Sequence, residues 1–208
     1  VTRPLELMVD IDEVIFPMIA TVHERARVKG FHDGSAKMEW AGWLNYVMPD
    51  GSGVCTEEAY WDLWTEFALE GGYLTTEPMP GAVEALRFAM WEGHNIHLVT
   101  ARGFMANADN IRAWTPKWIE DFAVPHKTLT FAKDKVGAQE ILGVRFDAAI
   151  DDSPKNFAAL VNDDVQTYLH LHDHNREFAK AVPYQLKVEN LWEWIYRLEQ
   201  HFPTEATA

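Results

Sequence analysis

Apolar positions along the chain fall into short runs separated by longer stretches of helical spacing, and this pattern predicts the elements. Leu5 to Val9 is a nearly unbroken apolar run and reads as a buried strand. It leads into Asp10-Ile11-Asp12-Glu13-Val14. A helical pattern follows Phe16-Pro17 through about Lys29, with Gly30 as its stop. From Phe31 to Gly53 the pattern is irregular and dense in Gly, Asp and aromatic residues, among them Trp40, Trp43 and Tyr46. A second helix is expected after Thr56, a suitable N-cap, to about Leu69. Tyr60, Trp61, Trp64 and Phe67 lie on it, and the spacings from Tyr60 to Trp64 and from Trp64 to Phe67 place these on one face. Gly71-Gly72 ends it. Residues 17–77 thus read as a mostly helical insert.

Regular alternation begins after the insert. Pro80-Gly81 opens a helix to about Trp91, with proline at the first helical position, and Asn95 to Thr100 forms a second buried strand. Helical segments then run to about Phe122, with Pro116 expected to start a separate one. Thr128 to Phe131 is a third strand, Asp134 to Leu142 a short helix, and Phe146 to Ile150 a fourth strand ending at Asp151-Asp152. Ser153-Pro154 starts another helix, with the serine as its cap. Gln166 to Leu171 is a fifth strand, Gln185 to Val188 a short sixth, and Asn190 to about Gln200 a final helix. Strands alternating with helices imply an α/β fold: a Rossmann-like parallel sheet flanked by helices. The expected division is a core of residues 1–16 and 78–208 with a helical cap over 17–77, inserted after the first strand.

Composition narrows the classes. A chain of 208 residues with 48% hydrophobic residues can bury one sizeable core. A formal charge of −14 argues against polymeric nucleic acid or an anionic membrane surface as partner, though not against a small anionic ligand held by local cations. The single cysteine, Cys55, excludes an intrachain disulfide framework and fits a reducing cytoplasm. No run reaches the ~18 apolar residues of a membrane span. No signal peptide is expected, because Asp10 and Asp12 break the first apolar run. The tail from Pro203 to Ala208 is expected to fray, and the sequence is compatible with a homodimer without requiring one.

In an open parallel sheet, ligands bind outside the carboxyl ends of the strands. That rule gathers Asp10 and Asp12, Thr100 and Arg102, Lys133 and Lys135, and Asp151 and Asp152 around one crevice. Two carboxylates set two apart share a face and repel unless a cation or a shared proton relieves them. Asp10 and Asp12 could equally be ordinary turn residues. Read with the rest, paired carboxylates offer hard oxygen ligands for Mg²⁺, while a hydroxyl and an amine suit phosphate oxygens. A carboxylate not fully committed to the metal can attack phosphorus.

These four segments, in order over residues 5–160, resemble the four motifs of the haloacid dehalogenase-like phosphohydrolases. The resemblance implies that Asp10 is the nucleophile, forming an aspartyl-phosphate. It makes Asp12 the acid for the leaving oxygen and then the base for water. Mg²⁺ would be held by Asp10, by the backbone of Asp12, and by Asp151 or Asp152. Thr100 would bind the phosphoryl group and a lysine would neutralise it, Lys135 being favoured over Lys133. Arg102 would add a phosphate or substrate contact, or else lie on the surface.

Among capped members, the Val-Thr-Ala-Arg and Ile-Asp-Asp-Ser-Pro segments and the Trp-rich insert resemble the 5′(3′)-deoxyribonucleotidases and their phage and bacterial relatives. The implied activity is a phosphoric monoester hydrolase acting on a (deoxy)nucleoside monophosphate. Trp61, Trp64 and Phe67 would stack the base, or form the core of the cap. The alternatives are a phosphatase for a sugar phosphate or other small metabolite, and a catalytically silent binding protein. Two features stand outside the pattern. Relatives often have glycine where this chain has Glu13. His170-Leu171-His172-Asp173-His174 is either a transition-metal site or a polar loop near the active-site rim.

Overall fold

The computed structural model describes residues 3–33, 46–53, 55–104 and 108–203. Trp40, Trp43 and the tail from 204 onward lie outside the described residues. Strand β1 (Glu6–Val9) leads to helix α1 (Met18–Val28), the antiparallel pair β2 (His32–Asp33) and β3 (Tyr46–Val47), then α2 (Glu57–Leu69) and α3 (Gly72–Thr75). There follow α4 (Ala82–Trp91), β4 (Asn95–Thr100), α5 (Ala108–Asp121), β5 (Thr128–Phe131), α6 (Gly137–Leu142), β6 (Ala148–Asp151) and α7 (Pro154–Asn162). The chain continues through β7 (Gln166–His170), α8 (Arg176–Ala179), β8 (Lys187–Val188) and α9 (Leu191–His201).

Six strands form one parallel sheet in the order β5-β4-β1-β6-β7-β8. Strand β1 is buried on both faces. Leu7 and Val9 join the larger apolar cluster, and Met8 joins the smaller one with Val99, Ala149 and Leu160. This is the two-residue alternation of a strand covered on both sides. Because β4 and β6 flank β1, with Leu7 level with Ile96 and Ala148, the residues after these three strands emerge side by side.

Among the described residues, 17–77 add no strand to this sheet. Their largest element, α2, is capped by the Thr56 hydroxyl, which accepts from Ala59 N–H at 3.1 Å. Its inner face buries Tyr60, Leu63, Trp64 and Phe67. The Phe67 ring leaves no room for a side chain at residue 72, where a Cβ would lie 2.0 Å from a ring carbon, so Gly72 begins α3.

Several boundaries differ from the pattern reading. Helix α4 starts at Ala82, after Gly81 at φ 77°, so Pro80 stands outside the first turn. Pro116 does not open a new helix. Helix α5 runs through it, because Ile111, Trp118 and Ile119 bury one continuous face and Trp118 Nε1–H donates to Thr76 O at 2.7 Å. The Ser153 hydroxyl makes no cap bond on α7. Lys135 lies in a turn ahead of α6, since Asp134 Oδ1 accepts from Val136 N–H at 3.0 Å and closes that turn first. The last strand is only Lys187–Val188. No helix among the described residues is long and apolar enough to cross a membrane.

Candidate active site at the carboxyl edge of the sheet

Asp10 leaves β1 with its N–H on Ile150 O at 3.1 Å, which ties it to β6. Lys135 enters the same space from the turn before α6. Its Nζ donates to Asp10 Oδ1 at 2.6 Å and to the Val99 carbonyl, and lies 3.9 Å from Asp151 Oδ2. Lys133 is exposed, 5.9 Å from the Phe104 ring centre, and does not enter. Burial raises the Asp10 and Asp151 carboxyls above their ordinary values, and neighbouring carboxylates add to the rise: Asp12 acts on Asp10, and Asp10 and Asp152 act on Asp151. Burial opposes the Lys135 ammonium, but the carboxylates of Asp10 and Asp151 outweigh it and keep the amine charged.

Asp10, Asp151 and Asp152 are all buried, and each offers a carboxylate oxygen within 4.8 Å of the others. An all-oxygen, acidic set that a single lysine only partly neutralises fits a hard divalent cation. Its members are already oriented. Asn156 Nδ2 donates to both oxygens of Asp151 at 3.1 Å, and Ser153 N–H to Oδ1 at 2.9 Å. His174 Nε2 lies 2.8 Å from Asp152 Oδ2, and Asn175 Nδ2 donates to the Asp152 carbonyl at 2.7 Å.

Asp12 follows a different course. The turn after Asp10 is tight, with the N–H groups of Val14, Ile15 and Phe16 all on Ile11 O, and Asp12 bridges Phe16. The Asp12 carboxylate, 15% exposed, accepts through Oδ1 from Arg102 Nε at 2.9 Å and Nη2 at 2.7 Å. Arg102 is fully buried, which rules out the surface reading. Thr100, also fully buried, ends β4, and its Oγ1 accepts from Arg102 N–H at 3.2 Å.

Glu13 has φ 55°, in the left-handed region that glycine enters freely. A glycine, which the resemblance leads one to expect at this position, would adopt that conformation without strain. What the glutamate provides is a cap. Pro17 has no side-chain cap bond to offer α1, and Glu13 Oε1 accepts from Ile19 N–H at 2.6 Å. Burial lifts the Glu13 carboxyl to about 7, with Asp152 and Asp12 adding to the rise.

The histidine-rich loop packs directly behind this turn. Glu13 O lies 2.6 Å from both His170 Nδ1 and His172 Nε2. Burial lowers both imidazoles, His172 to about 3, so they are neutral. The rings of His172 and His174 stack at 5.6 Å. Among the described residues, no group of three potential ligands forms here, and the loop's contacts hold the first turn and Asp152.

Of the aromatic residues singled out in the insert, Trp64 and Phe67 are buried against Tyr60 and Tyr73 respectively. Trp61 is 43% exposed, with Nε1–H on Glu57 Oε1 at 3.2 Å. The sequence reading did not identify Asn156, Asn175, Tyr73 or Trp118. Only Asn156 carried a usable signal, as a polar residue in the first turn of the helix that follows the fourth motif.

Solved structures share this architecture at low identity. A dehalogenase is 15% identical, with 93% of this chain and 96% of that chain covered and a TM-score of 0.55. A hydrolase from Pseudomonas syringae is 15% identical, with coverages of 94% and 98% and a TM-score of 0.53. The D,D-heptose 1,7-bisphosphate phosphatase from B. bronchiseptica, complexed with magnesium and phosphate, is 12% identical, with coverages of 95% and 99% and a TM-score of 0.51. At such identities the likeness establishes the fold. No curated protein matches the sequence. The family description 5′ nucleotidase, deoxy (Pyrimidine), cytosolic type C protein matches residues 3–199. The chain therefore belongs to that family and is a phosphoric monoester hydrolase of the haloacid dehalogenase-like type.

Proposed function

We propose that the protein is a Mg²⁺-dependent 5′-nucleotidase that hydrolyses (deoxy)nucleoside monophosphates through an aspartyl-phosphate on Asp10. The observation that carries this reading is the division of the two aspartates: Asp10 joins Lys135 and the Asp151-Asp152 pair, while Asp12 is held apart by Arg102. Asp10, the Asp12 carbonyl, Asp151 and Asp152 would hold the cation, which when bound offsets charge on the phosphoryl oxygens.

An Asp10 carboxylate oxygen attacks phosphorus, and the ester P–O bond breaks. The leaving oxygen takes a proton from Asp12. Arg102 occupies Oδ1 of that carboxyl, so the proton is carried on Oδ2. Asp12 then accepts a proton from water as the water oxygen attacks phosphorus, which breaks the bond to Asp10 and releases phosphate. Thr100 and Lys135 hold the transferring group. These roles follow the usual division of labour in phosphoryl transfer, which is positioning plus charge stabilisation. The family description supports a nucleotide substrate, and the exposed face of Trp61 supports a site for its base.

The test is phosphate release from a panel of nucleoside monophosphates and sugar phosphates, in Mg²⁺ and in EDTA. Turnover of the nucleotides in Mg²⁺ alone is expected. Turnover of sugar phosphates alone refutes the substrate, undiminished rates in EDTA refute the metal, and no turnover at all refutes the enzyme. Asp10→Asn should abolish turnover with the fold intact, and substantial residual activity would remove Asp10 as nucleophile.

A further inference from the structure

We infer that Arg102 is a positioning residue for Asp12 and not a ligand of the substrate phosphate. The inference rests on the reading of Asp12 given above. Three observations point to it. First, the guanidinium is completely buried, so a phosphate in the crevice does not reach it without displacing its walls. Secondly, those walls are aromatic and come from three parts of the chain. Its central carbon lies 4.1 Å from the Phe16 ring centre, 5.0 Å from Tyr73 and 5.7 Å from Trp118. Thirdly, both donors on one edge, Nε and Nη2, converge on the single atom Asp12 Oδ1.

An apolar side chain could fill a box of this kind without the several kcal/mol needed to desolvate a guanidinium. What such a side chain could not provide is the pair of N–H donors. Their effect is to fix the carboxyl plane of Asp12 with Oδ1 occupied. Only Oδ2 is left to exchange a proton with the leaving oxygen or with water. The third nitrogen, Nη1, is buried with no hydrogen-bond partner among the described residues. The residue thus tolerates an unsatisfied donor to keep this orientation. The Tyr73 wall belongs to α3, in the stretch between the first two motifs, so the aromatic packing of that stretch reaches Asp12 through the guanidinium.

The experiment compares wild type with Arg102→Met, which keeps the volume and removes the donors, and Arg102→Lys, which restores one donor group. On a nucleoside monophosphate, whose leaving alkoxide needs a proton, Arg102→Met should lower kcat on the order of 100-fold, within the range of acid–base contributions. KM should move by less than about threefold, and Arg102→Lys should recover part of kcat. The nitrophenol burst from p-nitrophenyl phosphate should change by less than about threefold, because nitrophenolate leaves without a proton.

A KM raised more than about tenfold with kcat unchanged would overturn the inference in favour of a phosphate contact. Equal losses on both substrates would overturn it in favour of a purely structural role. An activity-free measurement accompanies these: the Arg102 Nε–H NMR resonance should shift in Asp12→Asn and not in Asp10→Asn. An unmoved resonance in Asp12→Asn refutes the contact, even if Arg102→Met fails to fold. If wild type hydrolyses no phosphate ester, it is the proposed function that fails, and the resonance still decides the contact.

Discussion

Replacing Glu13 with glutamine should stabilise the protein at alkaline pH and leave it unchanged in acid. The Glu13 carboxyl is 4% exposed and lifted from its ordinary 4.5 to about 7, chiefly by burial. Between those two values the folded chain keeps a proton that the unfolded chain has lost, so stability falls as pH rises through this window. Below 4.5 both states are neutral and the contribution vanishes. Above about 7 the full cost is present. At about 1.4 kcal/mol per pH unit, that cost is on the order of 3 kcal/mol.

Glutamine reproduces the neutral form. Its carbonyl can still accept from Ile19 N–H at the start of α1. Its amide can donate to His172 Nδ1, which lies 3.6 Å from Glu13 Oε2 and belongs to a neutral ring. For a chain of this size the gain corresponds to a Tm higher by on the order of 6–12 °C. Thermal or urea unfolding of both proteins in EDTA, at pH 4 and pH 8, checks this. Equal stabilities at pH 8, or a gain of the same size at both pH values, would refute the buried, proton-retaining carboxyl.

Four further outcomes follow from the same geometry. Lys135→Met should destabilise the protein in urea unfolding by about 3–5 kcal/mol, because buried carboxylates lose their counter-charge, whereas Lys133→Ala should stay within about 0.5 kcal/mol. Comparable small effects would show that Lys135 does not compensate Asp10 and Asp151. Trp64→Ala should cost about 3–5 kcal/mol as a core truncation. Trp61→Ala should leave Tm nearly unchanged and raise KM for nucleoside monophosphates more than for sugar phosphates, and an equal effect on both substrates would remove Trp61 from the base site. His174→Ala should weaken Mg²⁺ binding about 10–100-fold in calorimetric titration by freeing the Asp152 carboxylate; an unchanged affinity would rule that out.

The legibility of the site tracks the distance over which each contact is made. Asp10, Thr100 and Asp151 lie at the ends of buried runs, and burial on both faces makes such runs continuous in sequence. Their convergence follows from the parallel order that places β4, β1 and β6 side by side. Lys135 was legible as one of two lysines. The choice between them depends on which way a two-residue turn points, and that is set by the Asp134 side chain closing it. The destination of Arg102 was not legible, because its aromatic walls come from the first turn, α3 and α5, and no local pattern links Phe16, Tyr73 and Trp118. Glu13 looked like an anomaly because its two properties belong to different levels. The left-handed backbone is a local requirement of the turn, and the cap on α1 is a contact made six residues away. The histidines had the composition of a metal site. Their nitrogens turn instead to the Glu13 carbonyl and to Asp152, a choice made by the path of the loop after β7.

Charge at the crevice ties these observations together. Asp10, Asp12, Asp151 and Asp152 face two permanent cations, Lys135 and Arg102, and the buried Glu13 carboxyl stays neutral up to about 7. With all four aspartates ionised the site carries two uncompensated negative charges; burial is the main reason the Asp10 and Asp151 carboxyls are raised, and neighbouring carboxylates add to it. A phosphate dianion would then approach a net anion in a region of low dielectric, where repulsion is least screened. A divalent cation among Asp10, Asp151 and Asp152 would bring the site to neutrality before the phosphate enters. The same cation would hold the Asp10 carboxylate ionised, as a nucleophile must be. Arg102 would act in the opposite sense on the other aspartate, since its contact with Asp12 Oδ1 would offset that charge locally and hold the carboxyl away from a bound cation. Two aspartates two residues apart can thus take unlike roles because each has its own counter-charge, delivered from a different strand end.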